Sequence, residues 1–405
     1  MKKRYFIFIL LIIISICFLM SCNCIPDIEV NKNWTSPDLE IDSEEGKIQD
    51  KEKIQETLEP KITTATILAA GDIMFHMPQN KAAFNSGTGI YDFTDNFNYV
   101  KKYIQSTDLP MANFETVVLE GKKYSGFPNF NSPIETLSAI RDAGFHILTT
   151  ANNHCLDQGK TGLIKTIDAI ENIGMKNIGT YKFPDSDIMV EDINEIKIAT
   201  LSYSYGFNGM DYTLTEEERE YMLSKIDEDK IKNDIEKAKS LGADIVTVFI
   251  HWGNEYQQEP SEAQIELGGK MVEWGANIIF GSHPHVVQKS EIINFNGKDN
   301  FIIYSLGNFL SNQRLENTDN KYTEDGIMVK IQVEKNFDKN ETKIKNIEYI
   351  PTWVRKHRID NKFQYEILPI KDFLEDEILF NSLDEREKIR IQESLESTMG
   401  KVIEY

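Results

Sequence analysis

Cysteine is scarce in this 405-residue chain, with four residues at positions 17, 22, 24 and 155. Cys17 and Cys22 fall in and just after an apolar N-terminal run, and Cys24 and Cys155 sit in a polar linker and a polar strand ending, so a disulfide framework is excluded. Positive charge is in deficit as well: 44 Lys and Arg stand against 65 Asp and Glu, a net charge of −21. Nucleic acid and anionic lipid surfaces are therefore excluded as partners for the body of the chain. No internal repeat at a solenoid period is visible, which removes stacked-repeat architectures. What is present is 40% hydrophobic residues, enough to bury one large α/β domain with an appendage.

The N-terminus carries Lys2, Lys3 and Arg4, then an apolar run from Tyr5 to Met20, slightly short of the ~18 residues or more expected of a spanning helix. It reads as a secretion signal over residues 1–21. The ending Leu19-Met20-Ser21-Cys22 looks like a bacterial lipobox, with Cys22 as the lipid-bearing first residue after cleavage. An uncleaved anchor is the alternative. Both place the rest of the chain on the extracytoplasmic face of the cell membrane, because the basic residues stay inside. Without residues 1–21 the formal charge becomes −24, since that segment has three basic and no acidic residues. Residues 22–61 are polar, with too few apolar positions for a core face, and read as a tether spanning roughly 35 Å as a flexible coil.

After Lys61 strand-like and helix-like patterns alternate, which argues for βαβ units and a mostly parallel sheet. Strands are expected at about 64–70, 109–112, 147–150, 196–205, 244–250 and 278–280. Helices are expected from the Ser132-Pro133-Ile134-Glu135 box, over 159–174, over roughly 216–241, and from the Ser261–Gln264 box with Ile265, Gly269, Val272 and Ala276 on one face. A hairpin turning at Asn294–Gly297, strands at 326–335 and 343–350, and acidic helix over 371–398 complete the reading.

Six apolar runs end in polar clusters: Gly71-Asp72, Asn113-Phe114-Glu115, Asn152-Asn153-His154-Cys155-Leu156-Asp157, His251-Trp252-Gly253-Asn254-Glu255, Gly281-Ser282-His283-Pro284-His285 and Gly307-Asn308-Phe309. Ligands of open α/β sheets bind beyond the carboxyl ends of the strands, so these groups are expected to converge on one crevice. Carboxylate, imidazole and amide carbonyl are the donors a divalent transition metal needs. Four of the seven histidines lie in these endings. An Asn153 carbonyl can hold a metal while His154 beside it protonates a leaving group. Asp72 and Glu115 would balance the metal's charge, whereas Asp157 reads as a cap for the helix starting near Gly159. Tyr203, Tyr205, Trp252 and Tyr256 flank the crevice, with Trp252 read as core. Glu255, Asn308 and Arg314 are candidates for contact with substrate. The basic spot Arg355-Lys356-His357-Arg358 reads as a solvated loop, with an acidic polymer as the sharper alternative.

With the longer blocks Gly71–Met74, Ala151–Gly159, His251–Tyr256, Gly281–Val286 and Tyr304–Phe309, these motifs resemble the CapA capsule-synthesis (poly-γ-glutamate synthesis accessory) family over roughly residues 64–312. That family is similar in fold to the calcineurin-like metallophosphoesterases. The resemblance implies a four-layer α/β/β/α sandwich over 62–315, followed by a small C-terminal α+β extension over 316–405. It also implies one or two divalent ions (Mn, Zn or Fe): Asp72 on the first, Glu115 bridging, Asn153 and His251 on the second, His283 and His285 completing both, and His154 as general acid. Two departures stand out. Met74 occupies the place of a phosphoesterase histidine, for which His76 is a candidate replacement, and the bridging carboxylate is Glu rather than Asp. The functions implied are capsule or poly-γ-glutamate synthesis or export beside a membrane synthase, metal-dependent phosphoester hydrolysis, or a metal-free scaffold.

Overall fold

The structure, a computed structural model, describes residues 59–184 and 187–402. The signal, Cys22, Cys24 and nearly all of the expected tether lie outside the described residues. Among these, no helix is long and apolar enough to cross a membrane.

In chain order the strands are β1 (Ile62–Ile73), the short β2 (Phe84–Asn85) and β3 (Ile90–Tyr91), β4 (Leu109–Phe114), β5 (Ile147–Thr149), β6 (Lys176–Ile178), β7 (Met189–Ile193), β8 (Ile196–Ser204), β9 (Ile245–His251), β10 (Ile278–Ser282), β11 (Ser290–Phe295), β12 (Lys298–Ile303), β13 (Asn308–Leu310), β14 (Asp325–Asn336), β15 (Glu341–Ile359) and β16 (Lys362–Pro369). One sheet has the order β16-β15-β14-β1-β4-β5-β6, with β13 alongside the end of β1; the other runs β11-β12-β10-β9-β8-β7. Neighbours β1, β4, β5 and β6 are parallel, as are β8, β9, β10 and β12. The carboxyl ends of both parallel sets carry the polar clusters.

Strand alternation builds the layers. In β1, Ile67 and Ala69 point into an apolar seam shared with Phe249, Phe280 and Ile303 of the other sheet, while Leu68 and Ala70 point outward onto Leu137 and Ile140 of the helix Glu135–Ala143. In β9, Ile245 and Phe249 face that seam; Val246, Val248 and Ile250 meet Ile231, Ile235 and Met271 of the helices Glu228–Ser240 and Glu262–Trp274. Both faces of each parallel set are covered, which explains runs such as Ile-Val-Thr-Val-Phe-Ile. The result is the expected α/β/β/α sandwich.

Several local expectations change. Residues after 315 do not stand apart: β14 pairs antiparallel with β1 across eight positions from Ile62↔Asn336 to Ala69↔Val329, so the C-terminal strands complete the first sheet. The helix expected over 216–241 is two, Glu216–Met222 and Glu228–Ser240, each with its own cap at Thr215 and Asp227. Ser132 caps nothing; its hydroxyl bonds Thr116 at 2.7 Å, and the helix begins at Glu135. The Ser261 capping box forms, but the inward face of its helix is Gln264, Gly268, Met271 and Val272, with Ile265 exposed. Gly268 and not Gly269 is the close-packed position, since a Cβ there would lie 2.6 Å from Ile302. The 371–398 region is three helices, ending in Glu385–Val402.

That last helix is pinned by a buried acid. Asp325, at the start of β14, accepts from Arg390, Ser394 and Ser397, while neighbouring Glu324 takes Arg314 at 2.7 Å and the Trp353 indole at 3.1 Å. Burial raises the Asp325 carboxyl above its usual range and Arg390 opposes that rise. Replacing Arg390 by Met leaves a buried carboxylate short of its charge partner and is expected to cost about 3 kcal/mol in chemical denaturation. An unchanged midpoint would remove this account of the C-terminal helix.

Candidate metal centre

Two glycines let the strand ends meet. A Cβ on Gly71 would lie 1.9 Å from the Gly307 carbonyl and one on Gly281 would lie 1.9 Å from the Tyr304 carbonyl. Backbone therefore packs directly on backbone, and Asp72 N–H donates to Gly307 at 3.0 Å. Asp72 ends up buried between the sheets, next to residues more than two hundred positions away: its Oδ2 accepts from the His283 N–H at 3.2 Å and lies 3.1 Å from His285 Nδ1.

A string of amides fixes the orientations. Asn152 Nδ2 donates to the Phe114 carbonyl at 2.9 Å and to Asn113 Oδ1 at 3.1 Å; Asn113 Nδ2 then donates to Asp72 Oδ1 at 2.7 Å. Asn308 Nδ2 donates to the Thr323 carbonyl at 2.9 Å, so its Oδ1 faces His285 Nδ1 at 3.1 Å as an acceptor. The His285 proton therefore sits on Nδ1, leaving the Nε2 lone pair, 3.8 Å from Glu115 Oε1, turned to the centre. His251 Nε2 lies 3.0 Å from Asn153 Oδ1 and 3.6 Å from Glu115 Oε1. Its other nitrogen meets Ser282 Oγ at 2.9 Å.

Glu115 is fully buried, and its Oε1 has no hydrogen-bond partner among the described residues; nor has His283 Nδ1. Buried polar atoms are nearly always satisfied, so an orphan on each of two residues of one cluster calls for a missing partner. One donor atom each from Glu115, His283 and His285 lie within 4.8 Å of one another, and so do donors from Asp72, Glu115 and His251. His283 and His285 also hold φ of 96° and 58°, a region costly for residues with a side chain and common at functional sites. A divalent cation fits this set: the donors are acceptor-only or lone-pair atoms, and they already converge.

The electrostatics agree. Burial, then the Asp72, Glu255 and Asp157 charges, push the Glu115 carboxyl well above its ordinary range. Burial and neighbouring imidazoles push His251 well down and His283 down to about 3. His76, at the start of a helical turn, is pushed down to about 4 by burial and opposed by Gln79; its ring meets Phe130 at 5.2 Å, and Phe130 meets His154 at 4.9 Å, which places it at the same crevice. Its Nδ1 accepts from the Asn312 N–H at 3.3 Å. Met74, in the place where the resemblance puts a histidine, is buried.

His154 stands at the edge with a partner that the sequence reading gave another task. Asp157 does not cap the following helix; its Oδ2 takes the His154 Nδ1 at 2.8 Å and the Phe130 N–H at 2.7 Å. That holds the imidazole with Nδ1 protonated and Nε2 as the atom left for a substrate. Tyr205 lies over His283 with ring centroids 4.4 Å apart, and Tyr256 is 6.2 Å from His285. Glu255 is exposed at the mouth.

Other expectations fail here. Asn308 is fully buried and orients His285 instead of meeting substrate. Arg314 is buried, spent on Glu324 and the Val354 carbonyl. Tyr203 is buried with its hydroxyl on Asp234, so of the three tyrosines expected there Tyr205 and Tyr256 reach the crevice. Trp252 is core, as expected, its indole N–H on the Tyr304 carbonyl at 2.9 Å. The basic spot lies on β15 and not in a loop, and most of it is paired: Arg355 with Glu366 and Glu387, Lys356 with Glu316 and His357 with Glu366, while Arg358 is exposed over the Phe363 ring. Asn113, Asn152 and Asp157 are the supporting residues the sequence reading did not single out in these roles. Their signal was present in the motif blocks, two residues before Glu115, one before Asn153 and three after His154.

Residues 66–313 match the family described as bacterial capsule synthesis protein PGA_cap. The chain belongs to this family. It is 34% identical over 258 residues to a capsule biosynthesis protein CapA from Bacillus anthracis, covering 61% of this chain and 60% of that one. It is 30% identical over 294 residues to a PGA biosynthesis protein CapA from Bacillus subtilis, covering 68% and 71%. The match thus spans about three fifths of the first relative's length. Among solved structures, a phosphatase from Mycoplasma pneumoniae (TM-score 0.43, 14% identity, covering 80% of this chain and 100% of that one) and a calcineurin-like phosphoesterase from Bacillus subtilis (TM-score 0.42, 13%, covering 83% and 100%) are similar. Every residue of the donor set lies inside the family-matched span.

The shifts give a signed expectation for the metal-free protein. A carboxyl raised above its ordinary 4.5 in the fold stabilises below that pH and loses the contribution as pH rises, so neutral pH leaves Glu115 a liability. A histidine lowered from 6.5 to about 3 destabilises progressively as pH falls through that window. Glu115→Gln is accordingly expected to raise the melting temperature of the metal-free protein at pH 7 by several degrees and to abolish stabilisation by added Mn²⁺. A lower melting temperature with the Mn²⁺ effect intact would contradict the assignment.

Proposed function

We propose that this chain is an accessory protein of capsule poly-γ-glutamate synthesis or export, acting through a divalent-metal centre at the crevice between the two sheets. The observation that carries the metal is the pair of buried orphans, Glu115 Oε1 and His283 Nδ1, within a ring of aligned donors. What carries the polymer is membership of the capsule-synthesis family and relatives whose names refer to capsule and PGA biosynthesis. Asp72, Glu115, Asn153, His251, His283 and His285 would hold one or two ions of Mn, Zn or Fe. Such an ion would supply Lewis acidity toward a substrate oxygen. The chain's own residues do the rest: Asn113, Asn152 and Asn308 hold the donors in register, and His154, fixed by Asp157, presents Nε2 for proton transfer. On this reading the N-terminal signal ends in a lipid anchor at Cys22, holding the domain outside the membrane beside a synthase or export complex.

A second reading, metal-dependent hydrolysis of envelope phosphoesters, is favoured by the His154–Asp157 pair, since a pure binding site needs no oriented proton donor. Two measurements separate the readings. Deleting the gene is expected to abolish surface polymer, with rescue by wild type and not by Asp72→Ala; undiminished polymer would remove the capsule role. In the purified protein, His154→Ala is expected to retain metal and to lose about 10²-fold or more of any turnover of aryl phosphates. Turnover unaffected by this change would remove His154 as proton donor.

A further inference from the structure

The mouth of the crevice has a charge pattern that bears on what enters it. Glu115, Tyr205 and Tyr256 are each acted on by carboxylates, with Glu255 among them in every case, and His251 and His283 by other histidines. Among the described residues, neither lysine nor arginine is among the groups that act most strongly on them. A polyanion threaded along its length would therefore bring its repeated carboxylates past the Glu255 carboxylate, with a cation only where one of them turns to the metal-holding donors, an arrangement electrostatic complementarity disfavours. An ammonium group suits the same mouth.

The backbone that carries Glu255 is held there. Its loop is stapled from below by Gln288, fully buried, whose Nε2 donates to the Gln257 and Glu259 carbonyls at 2.8 and 3.1 Å; Gln264 Nε2 in turn donates to Gln288 Oε1 at 3.0 Å. Tyr256 N–H donates to the Pro284 carbonyl at 2.8 Å, between the two histidines of the donor set. The Glu255 carboxylate acts on the neighbouring Tyr256 hydroxyl, which accepts from Gln313 Nε2 at 3.4 Å, and the half-exposed Tyr205 ring covers His283 on the same crevice. A carboxylate beside aromatic faces is how proteins hold an ammonium, by charge-assisted hydrogen bond and cation–π attraction. Under the Tyr205 ring lies His283, grouped with Glu115 in the donor set, and Glu115 Oε1 and His283 Nδ1 are both unpartnered.

We propose that the crevice recognises an α-amino acid end: an ammonium on Glu255 against the Tyr205 and Tyr256 rings, with the carboxylate on the same carbon turned inward to the metal-holding donors. In a γ-linked glutamyl chain only the amino-terminal residue carries a free ammonium and a free carboxylate on one carbon; every internal nitrogen is an amide. The site thus reads the chain's end and not its flank. This rests on the polymer reading of the crevice given above.

Titrating the Mn²⁺-loaded full chain calorimetrically with γ-linked triglutamate, either free or N-acetylated, tests it. The free oligomer is expected to bind about tenfold more tightly, the size of one charged hydrogen bond. Glu255→Gln is expected to erase that difference with Mn²⁺ stoichiometry unchanged. Equal affinity for the two oligomers overturns the end-recognition inference and leaves the polymer reading standing. Loss of Mn²⁺ in the Glu255→Gln protein overturns it by making Glu255 a metal ligand. Binding of neither oligomer to metal-loaded protein overturns the polymer reading and this inference with it.

Discussion

An unpaired carboxylate oxygen at zero exposure is the constraint on which the rest of this structure depends. Glu115 lies where the ends of two parallel strand sets face each other, and burial there opposes its charge. A protein selected for stability alone would pair or replace such a group. Here the surroundings hold it in place: glycine contacts bring backbones together, amides are locked in one orientation, and two histidines sit at positive φ. Each of these features costs stability or restricts the sequence, and all of them serve one small volume. That concentration of local irregularity is what a functional centre looks like in a chain whose other parts agree with their fold.

The site was legible because its donors terminate strands. Once β1, β4, β9 and β10 are placed in parallel sheets, Asp72, Glu115, His251, His283 and His285 have nowhere to point but the common crevice. The supporting residues were less legible for a physical reason. Whether Asp157 caps its own helix or orients His154 depends on the Phe130 loop beside it, which lies 27 positions away and leaves no mark in the local pattern. Asn308 and Arg314 look like substrate contacts in a motif, and only the positions of Thr323, Glu324 and Val354 show that both are spent internally. The C-terminal strands were misplaced as an appendage because antiparallel pairing with β1 has no local signature at a separation of more than two hundred residues. The one-residue offset of the inward helical face, Gly268 for Gly269, reflects an apolar pattern too sparse to fix its own phase.

The acidic mouth and the proposed polymer are at first sight at odds, since both are anionic. They are reconciled if the crevice meets the chain at its one cationic end. An accessory role would then have a physical content: a metal centre with His154 as proton donor, rimmed by Glu255 and tyrosines, would select a terminus and reject the flank of the same molecule. The family relationship says which polymer to test, and the geometry says which part of it.

Anomalous diffraction at the Mn edge, from crystals of the protein grown with Mn²⁺, tests the central claim most directly. The account requires a peak inside the ring of Glu115, His251, His283 and His285, with Glu115 Oε1 and His283 Nδ1 both turned to it. A protein that stays free of Mn²⁺ there, or binds it only elsewhere with Glu115 Oε1 still unpartnered, would contradict the account.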